Sequence, residues 1–195
     1  SSRFEVEQVL QATGIPVSTL RCGMIVGPGG SSLKILINLV RRLPVMGLPL
    51  WSTSQTQPIA IQDVLRAVHL CLEHPGMYTG SFDIGGPERL AYRDLIKITA
   101  EQMGKKRLMF LMPFINVVFS KRWVATFSSS TVDLVGPLID SLRHTMLVTS
   151  NPLQQQLEPT AITFREAVSE SMDDRGFPLQ NPRKRMKKSD KHTIR

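Results

Sequence analysis

The alternation of helical and extended patterns is the feature of this sequence that most constrains its fold. Apolar residues at helical spacing mark residues 4–11, 33–40, 61–72 and 92–103. Between them, extended runs cover residues 15–26, 58–61 and 78–84. The resulting order of helix, strand, helix, strand, helix, strand and helix predicts an α/β fold.

Residues that favour helix ends accompany these patterns. Ser31 and Ser32 can cap the second helix, and Asp63 lies in the first turn of the third, where the helix dipole favours a carboxylate. Thr163 and Glu166 form a capping-box pattern that predicts a short helix. The expected apolar faces are Val6, Val9 and Leu10 in the first helix, Leu33, Leu36, Ile37 and Val40 in the second, and Ile61, Val64, Leu65, Val68 and Leu72 in the third.

The positive charge of the chain is concentrated at its C-terminal end. The formal net charge is +8, of which residues 183–195 contribute +6, so residues 1–182 are nearly neutral. Residues 181–195 hold hardly any apolar side chains, which predicts a disordered, solvated tail. The alternative is contact of the tail with an anionic surface or with nucleic acid. A nucleic-acid partner is not expected for the protein, whereas peripheral membrane contact is possible.

Cysteine and histidine give little support to redox, metal or hydrolase chemistry. Cys22 and Cys71 are too few for a disulfide framework, which indicates a reducing, cytoplasmic compartment. His69, Cys71 and His74 are close in sequence, but their spacing does not bring three ligands to one helix face. No serine elbow motif is present, so a hydrolase is not expected.

A glycine-rich stretch, G-P-G-G at residues 27–30, follows a strand and precedes a helix. It lacks the G-x-G-x-x-G spacing of a dinucleotide cradle, so we interpret it as a turn rather than a phosphate site. The chain also begins at Ser1 without an initiator Met or a signal-peptide pattern. We therefore expect it to be part of a longer protein.

Three segments, in order, resemble the atypical branch of extended short-chain dehydrogenases/reductases. They are L-R-C-G-M-I-V-G-P at residues 20–28, Q-P-I-A-I-Q-D-V at 57–64, and D-I-G-G-P-E at 83–88 followed by Y-R-D-L at 92–95. The branch includes NmrA-like regulators and a reductase-like accessory subunit of respiratory complex I. A bacterial group of NAD(P)-binding proteins is also similar, and L-P-V at residues 43–45 completes its pattern. The resemblance covers residues 1–172.

The resemblance implies the C-terminal part of a Rossmann-type, doubly wound parallel sheet with a small, mostly helical substrate subdomain. Residues 1–104 would be the C-terminal half of the NAD(P)-binding domain, residues 105–180 the small substrate or cap subdomain, and residues 181–195 the basic, disordered tail. The cofactor would be NAD or NADP, and the partner a small-molecule substrate.

Site residues follow from the same resemblance, position by position. The segment beside the nicotinamide would be Leu20, Arg21, Cys22, Gly23 and Met24. S-R-F-E-V-E at residues 2–7 aligns with the motif around the catalytic Lys of the family. Arg3 therefore occupies the Lys position, and the partner Tyr would precede Ser1. Arg supplies a positive charge and hydrogen-bond donors, but its planar guanidinium does not reproduce the contact that Lys makes to the cofactor ribose.

At the expected substrate site, the sequence departs from the nucleotide-sugar members of the family. Nucleotide-sugar relatives carry a phosphate-binding Arg where this chain has Thr56, which disfavours a nucleotide-sugar substrate. Trp51, Gln57 and Tyr78 are candidates for substrate binding, with packing as the alternative role.

An apolar run at residues 108–119 lies between basic residues. Twelve residues are too short to cross a bilayer, so the run would lie at a membrane surface, line an apolar substrate pocket or pack in the core.

Three functions are thus open. The leading one is an NAD(P)-dependent oxidoreductase acting on a hydrophobic carbonyl or quinone-like ligand. The second is a cofactor-binding structural or regulatory protein without turnover, which Arg3 favours. The third is an adaptor that binds a membrane surface or an anionic partner through the tail and residues 108–119. The oligomeric state and the choice between NAD and NADP stay open.

Overall fold

The structure is a computed structural model that describes residues 2–112, 145–173, 176, 178 and 179; the side chains of residues 2–4 are not described. The helices are α1 (Ser2–Gln11), α2 (Ser31–Arg42), α3 (Ile61–Glu73), α4 (Tyr92–Gln102), α5 (Pro152–Leu157) and α6 (Phe164–Glu170). The strands are β1 (Ser18–Cys22), β2 (Ile25–Val26), β3 (Val45–Pro49), β4 (Gln55–Thr56), β5 (Ile59–Ala60), β6 (Gly80–Ile84), β7 (Leu90–Ala91) and β8 (Leu108–Met112). The predicted alternation of helices and strands is confirmed.

The described strands form pairs, three of them parallel. β1 pairs with β6 from Ser18 opposite Gly80 to Cys22 opposite Ile84. β2 pairs with β5 and β3 with β8, also in parallel, whereas β4 and β7 are antiparallel. Because each parallel pair is joined through at least one helix, the fold is the α/β arrangement that the sequence predicts.

Helices cover both faces of the β1–β6 pair. On one face, Glu7 of α1 accepts hydrogen bonds from the Arg21 guanidinium at 3.1 Å and from the Ser81 hydroxyl. Arg21 also lies 3.6 Å from the Asp83 carboxylate. The other face packs in an apolar core of Leu20, Cys22, Phe82 and Ile84 with Ala67 and Cys71 of α3 and Leu153 and Leu157 of α5. This two-sided covering is the doubly wound arrangement.

A second core surrounds α2. The predicted face of Leu33, Leu36, Ile37 and Val40 is buried, and Ile35 and Leu39 on the other sides are buried as well. Strand β3 and helices α4 and α6 supply the partners, which are Met46, Leu48, Leu95, Ile96, Phe164 and Val168. Each buried aliphatic side chain contributes roughly 1.5–3 kcal/mol relative to exposure. Helix α2 is therefore an interior helix.

The prediction that the apolar side of α3 is buried is wrong for three of its residues. Leu65, Val68 and Leu72 are 61%, 40% and 75% exposed. The helix instead turns its small residues, Ala67 and Cys71, toward the β1–β6 sheet, since small side chains allow a close approach.

Two other local predictions are corrected by tertiary contacts. The apolar face of α1, with Val6, Val9 and Leu10, is exposed because Glu7 faces the sheet. The residue that caps α2 is Gly30, and Ser31 and Ser32 lie inside the helix without a side-chain cap.

The C-terminal helices share both cores. Asn151 caps α5 through its side-chain oxygen Oδ1, which accepts a hydrogen bond from Gln154 N at 3.0 Å. The predicted capping box of α6 is confirmed, with Thr163 and Glu166 bonded to each other's backbone N–H groups. Asp63 lies in the first turn of α3, as predicted, and its carboxylate also accepts from Ile162 N at 2.9 Å. These bonds fix residues 151–170 against the rest of the described chain.

The first part of the apolar run, residues 108–112, forms β8 beside β3. Residues 113–119, like the tail at 181–195, lie outside the described residues. No helix in the described part of the chain has the length and hydropathy needed to cross a bilayer.

Candidate functional site at the carboxyl ends of the strands

The three segments that carry the family resemblance meet at one edge of the structure. The carboxyl ends of β1 and β6 lie side by side, so Gly23 follows one strand where Gly85 follows the other. Ile59 N donates to Met24 O at 2.9 Å, and Gly86 N donates to Pro58 O at 3.0 Å. In open α/β sheets, ligands bind outside the carboxyl ends of the strands. This edge is therefore the candidate site.

Gly86 permits the close approach of two of these segments. A Cβ atom there would lie well inside van der Waals contact of the Pro58 carbonyl oxygen. Since that neighbour is backbone, a side chain would have to push the two segments apart.

Buried amides hold the edge in place from behind. The Gln57 amide nitrogen donates to Gly86 O at 2.7 Å, and its oxygen accepts from Val148 N at 3.2 Å. Gln154 makes a second clamp: its oxygen accepts from Gly85 N at 3.0 Å and its nitrogen donates to Gly85 O at 3.1 Å. The amide of Gln57 is thus engaged in positioning the backbone.

Four buried polar side-chain atoms, three in residues 51–56 and one at the start of α4, have no hydrogen bond of normal geometry. They are Trp51 Nε1, Ser52 Oγ, Thr56 Oγ1 and Tyr92 Oη, and we call them the polar cluster. Trp51 and Tyr92 pack edge to face with ring centroids 6.3 Å apart. The hydroxyl of Thr56 faces that of Tyr92, and Ser52 lies next to Trp51 in a 3₁₀ turn, Leu50–Thr53.

Secondary structure fixes the positions of the cluster residues. Thr56 ends β4, pairs with Leu90 of β7 and forms a parallel bridge with Met146. Tyr92 begins α4, and its N–H donates to Ser54 O at 3.4 Å. These backbone contacts fix the positions of Thr56 and Tyr92 in the fold.

The electrostatics of the edge are those of neutral groups. Burial raises the pKa of the Tyr92 phenol, and the Thr56 hydroxyl offsets only part of this effect. Burial also raises the pKa of the Cys22 thiol. Tyr92 therefore keeps its proton and can donate a hydrogen bond, while Cys22 is not poised as a thiolate nucleophile.

The structure brings some predicted residues together and separates others. Cys22, Gly23 and Met24 lie at the edge, Gln57 lies close behind it, and Trp51 packs against the ring of Tyr92. Leu20 points into the core, and Arg21 points to the opposite face, toward α1.

Tyr78 lies at the other end of the strands. It precedes β6 on the side where β1 starts, because its backbone carbonyl accepts from the Ser18 hydroxyl. Four residues of strand, roughly 13 Å, separate Ser18 from Cys22. Arg3 belongs to the first turn of α1, but its side chain lies outside the description.

Sequence reasoning did not single out Ser52 or Tyr92. Tyr92 belongs to the resembling segment Y-R-D-L, and its place directly after the D-I-G-G-P-E segment was the available signal. Ser52 carried no signal beyond its neighbour Trp51.

Other features of the described residues do not extend this site. They contain no group of three His, Cys, Asp or Glu side chains that could hold a metal ion, and His69 pairs with Glu73 at 3.2 Å. A surface groove of about 420 Å³ lies between α4 and β8, and no residue of the polar cluster lines it.

Comparison with known proteins finds similarity at the level of structure. No protein-family model matches the chain, and no curated protein matches its sequence. A nucleoside-diphosphate-sugar epimerase from Staphylococcus aureus superposes with a TM-score of 0.61 at 15% identity, over 84% of this chain and 55% of that one. The enzyme WbmH of Bordetella bronchiseptica, in complex with NAD+, gives 0.54 at 14% identity, over 84% and 47%.

A third similar structure is the dTDP-4-dehydrorhamnose reductase of Bacillus anthracis in complex with NADP, with a TM-score of 0.50 at 12% identity, over 77% of this chain and 45% of that one. The chain thus spans about half the length of these enzymes. The structural similarity does not show that the chain belongs to the NmrA-like or complex I branch in particular. At such identities it shows the fold: the chain has the Rossmann-type α/β fold of these enzymes.

Proposed function

We propose that the chain is part of an NAD(P)-binding oxidoreductase of the short-chain dehydrogenase/reductase kind, acting on a hydrophobic carbonyl or quinone-like ligand. The observation that carries the proposal is the position of residues 20–24, which run along β1 and turn at the carboxyl edge where Rossmann-type sheets bind ligands. Two of the similar structures are complexes with NAD+ and NADP.

The residues at the edge fit one end of such a cofactor. Gly23 is exposed and has no side chain, so a flat ring and its carboxamide can approach the backbone between Cys22 and Met24. We assign these three residues to the nicotinamide side. Arg3 would supply positive charge near the ribose. The cofactor, when bound, supplies the hydride.

The proposed substrate class follows from the absence of charge in the polar cluster. A diphosphate calls for Arg or Lys donors, and Thr56 replaces the Arg of nucleotide-sugar relatives. Trp51 and Tyr92 offer apolar rings beside hydroxyl and indole donors. A carbonyl on an apolar body matches both features.

The test is NAD(P)H consumption by the protein expressed from its complete coding sequence, with matched panels of ketones, quinones and nucleotide sugars. We expect consumption with a ketone or quinone, and lower rates for Gly23→Val, whose side chain would cover the approach to the backbone. Turnover of nucleotide sugars alone would contradict the proposed substrate class.

A second candidate function is cofactor binding without turnover, favoured by Arg3 in the place of the family's Lys. Tight NAD(P)H binding with no consumption across the panels would support it. The Arg3→Lys variant separates the two functions, because a gain of turnover would identify Arg3 as the cause of inactivity.

A further inference from the structure

Strand β8 exposes apolar side chains that the core does not use. Only Met109 packs against the core around α2, while the other four residues are 39–64% exposed, namely Leu108, Phe110, Leu111 and Met112. Single exposed apolar side chains are ordinary, but several adjacent ones mark a surface that binds something. β3 occupies one edge of β8, and no other described strand pairs with it. The strand therefore offers an apolar binding surface.

This surface is concave where β8 meets α4. The groove between the two elements has a volume of about 420 Å³, and its apolar lining consists of Leu48, Met109, Phe110 and Leu111. Ligand pockets in proteins measure about 300–1,000 Å³. The groove is thus of a size that suits a small molecule.

Helix α4 supplies the polar side of the groove through Arg93, Asp94 and Lys97. Arg93 and Lys97 are four residues apart, so they lie on one side of the helix. Asp94 Oδ1 lies 3.7 Å from Arg93 Nε and offsets one of the two positive charges. The next acid along the helix, Glu101, is bonded to Arg165. The polar side of the groove therefore keeps an excess of positive charge.

The combination of cations and apolar side chains selects the class of ligand. Guanidinium and ammonium groups bind a carboxylate through charge-assisted hydrogen bonds. An alkyl chain gains free energy when it leaves water for a surface such as that of Phe110 and Leu111. A neutral ketone or quinone would leave both cations without a partner. A membrane surface is a poorer match, because lipid headgroups attract clusters of basic residues, whereas this groove is concave and holds a carboxylate of its own.

We propose that the groove between α4 and β8 binds a free medium-chain fatty carboxylate, with the carboxylate at Arg93 and Lys97 and the alkyl chain against Leu48 and β8. None of the residues that we assign to the cofactor or to the carbonyl substrate lines this groove. The inference therefore goes beyond the proposed function and does not depend on it.

The test compares probes that share one alkyl chain and differ in the head group. Octanoate supplies the anion, 1-octanol a neutral head and octyltrimethylammonium a cation, while hexanoate keeps the carboxylate on a shorter chain. Dissociation constants are measured by NMR titration at low ionic strength with the protein expressed from its complete coding sequence. Because these comparisons need only the wild type, they remain decisive if a variant folds poorly.

Variants then locate the binding. Arg93→Gln and Lys97→Gln each remove one cation, and Leu111→Gln removes part of the apolar lining. The matched controls are Lys34→Gln on α2 and Leu65→Gln on α3, because both residues are exposed and neither lines the groove. Urea unfolding of each variant verifies that it is folded.

We expect octanoate to bind more tightly than 1-octanol, and octyltrimethylammonium to bind most weakly. Hexanoate should bind about 3- to 10-fold more weakly than octanoate, since two methylenes lose their partial burial. Arg93→Gln and Lys97→Gln should each weaken octanoate by about 2- to 10-fold and leave 1-octanol unchanged. Leu111→Gln should weaken both probes, whereas the two controls should change neither.

Three results would overturn the proposal. The first is 1-octanol or octyltrimethylammonium binding as tightly as octanoate. The second is an equal effect of Lys34→Gln and Lys97→Gln on octanoate affinity. The third comes from sedimentation with phosphatidylserine vesicles: if Lys97→Gln and Leu111→Gln weaken vesicle binding but not octanoate binding, the surface faces a membrane instead. Loss of NAD(P)H consumption with octanoate binding intact would count against oxidoreductase function alone.

Discussion

The Gln154 clamp gives the sharpest test of how the carboxyl edge is held. Gln154 is 1% exposed and bonds both the N–H and the carbonyl of Gly85, at 3.0 and 3.1 Å. Gln154→Met keeps nearly the same length and volume but removes both bonds. Leaving a buried backbone group unpartnered costs about 1–3 kcal/mol, so two such groups cost about 2–6 kcal/mol. The apolar side chain recovers part of this, and we expect a net loss of about 2–4 kcal/mol.

The neighbouring residue provides a matched control. Gln155 is exposed, and its amide donates to the Ser150 hydroxyl at 3.1 Å. Gln155→Met should change the free energy of unfolding by less than about 0.5 kcal/mol. Urea denaturation monitored by circular dichroism measures both variants. If Gln154→Met and Gln155→Met differ by less than about 0.5 kcal/mol, the clamp does not stabilise the edge and the argument is refuted.

Three further predictions concern single residues. Gly86→Ala should cost more than about 2 kcal/mol in urea unfolding, because its Cβ would collide with the Pro58 carbonyl; a neutral result would show that the segments separate easily. Hydrogen bonds from Thr163 hold the pKa of Glu166 below its usual value, so the contribution of Glu166 to stability is present above about pH 4.5 and is lost as the pH falls through the lowered pKa. Accordingly, Glu166→Gln should flatten the acid side of the stability–pH curve, and an unchanged curve would contradict this. Tyr78→Phe should leave the rate of NAD(P)H consumption unchanged, since Tyr78 lies at the far end of the strands, and a lowered rate would place Tyr78 at the site.

Local elements were predictable because their signals are local. The apolar spacing of α2 predicted a helix whose face is buried, and Thr163 and Glu166 predicted the start of α6. Both depend on residues within two or three turns of one another, which share one helix whatever the rest of the chain does.

The orientation of helices was less predictable. Leu65, Val68 and Leu72 have the spacing of a buried face, yet α3 places Ala67 and Cys71 against the sheet. Periodicity shows which apolar residues share a side of a helix. It does not show which partner that side meets, since this depends on the fit of one surface to another.

The candidate site also has a part that the sequence predicted and a part that it did not. Its backbone was predictable from the three resembling segments, which place Cys22, Gly23 and Met24 at a strand end. The Gln154 clamp joins residues 69 positions apart in the sequence, and the contact between Tyr92 and Thr56 joins residues 36 positions apart. No local sequence pattern predicts either contact.

The sequence by itself determined the α/β order, the capping box that begins α6 and the segments that form the carboxyl edge. Only the tertiary structure decided which helix faces are buried, that Gln57 and Gln154 support the backbone, and that Trp51 and Thr56 meet Tyr92 of α4. The physical reason is range. Backbone periodicity and capping act over a few residues, whereas burial and hydrogen-bond partnership depend on side chains that meet only when distant strands and helices pack.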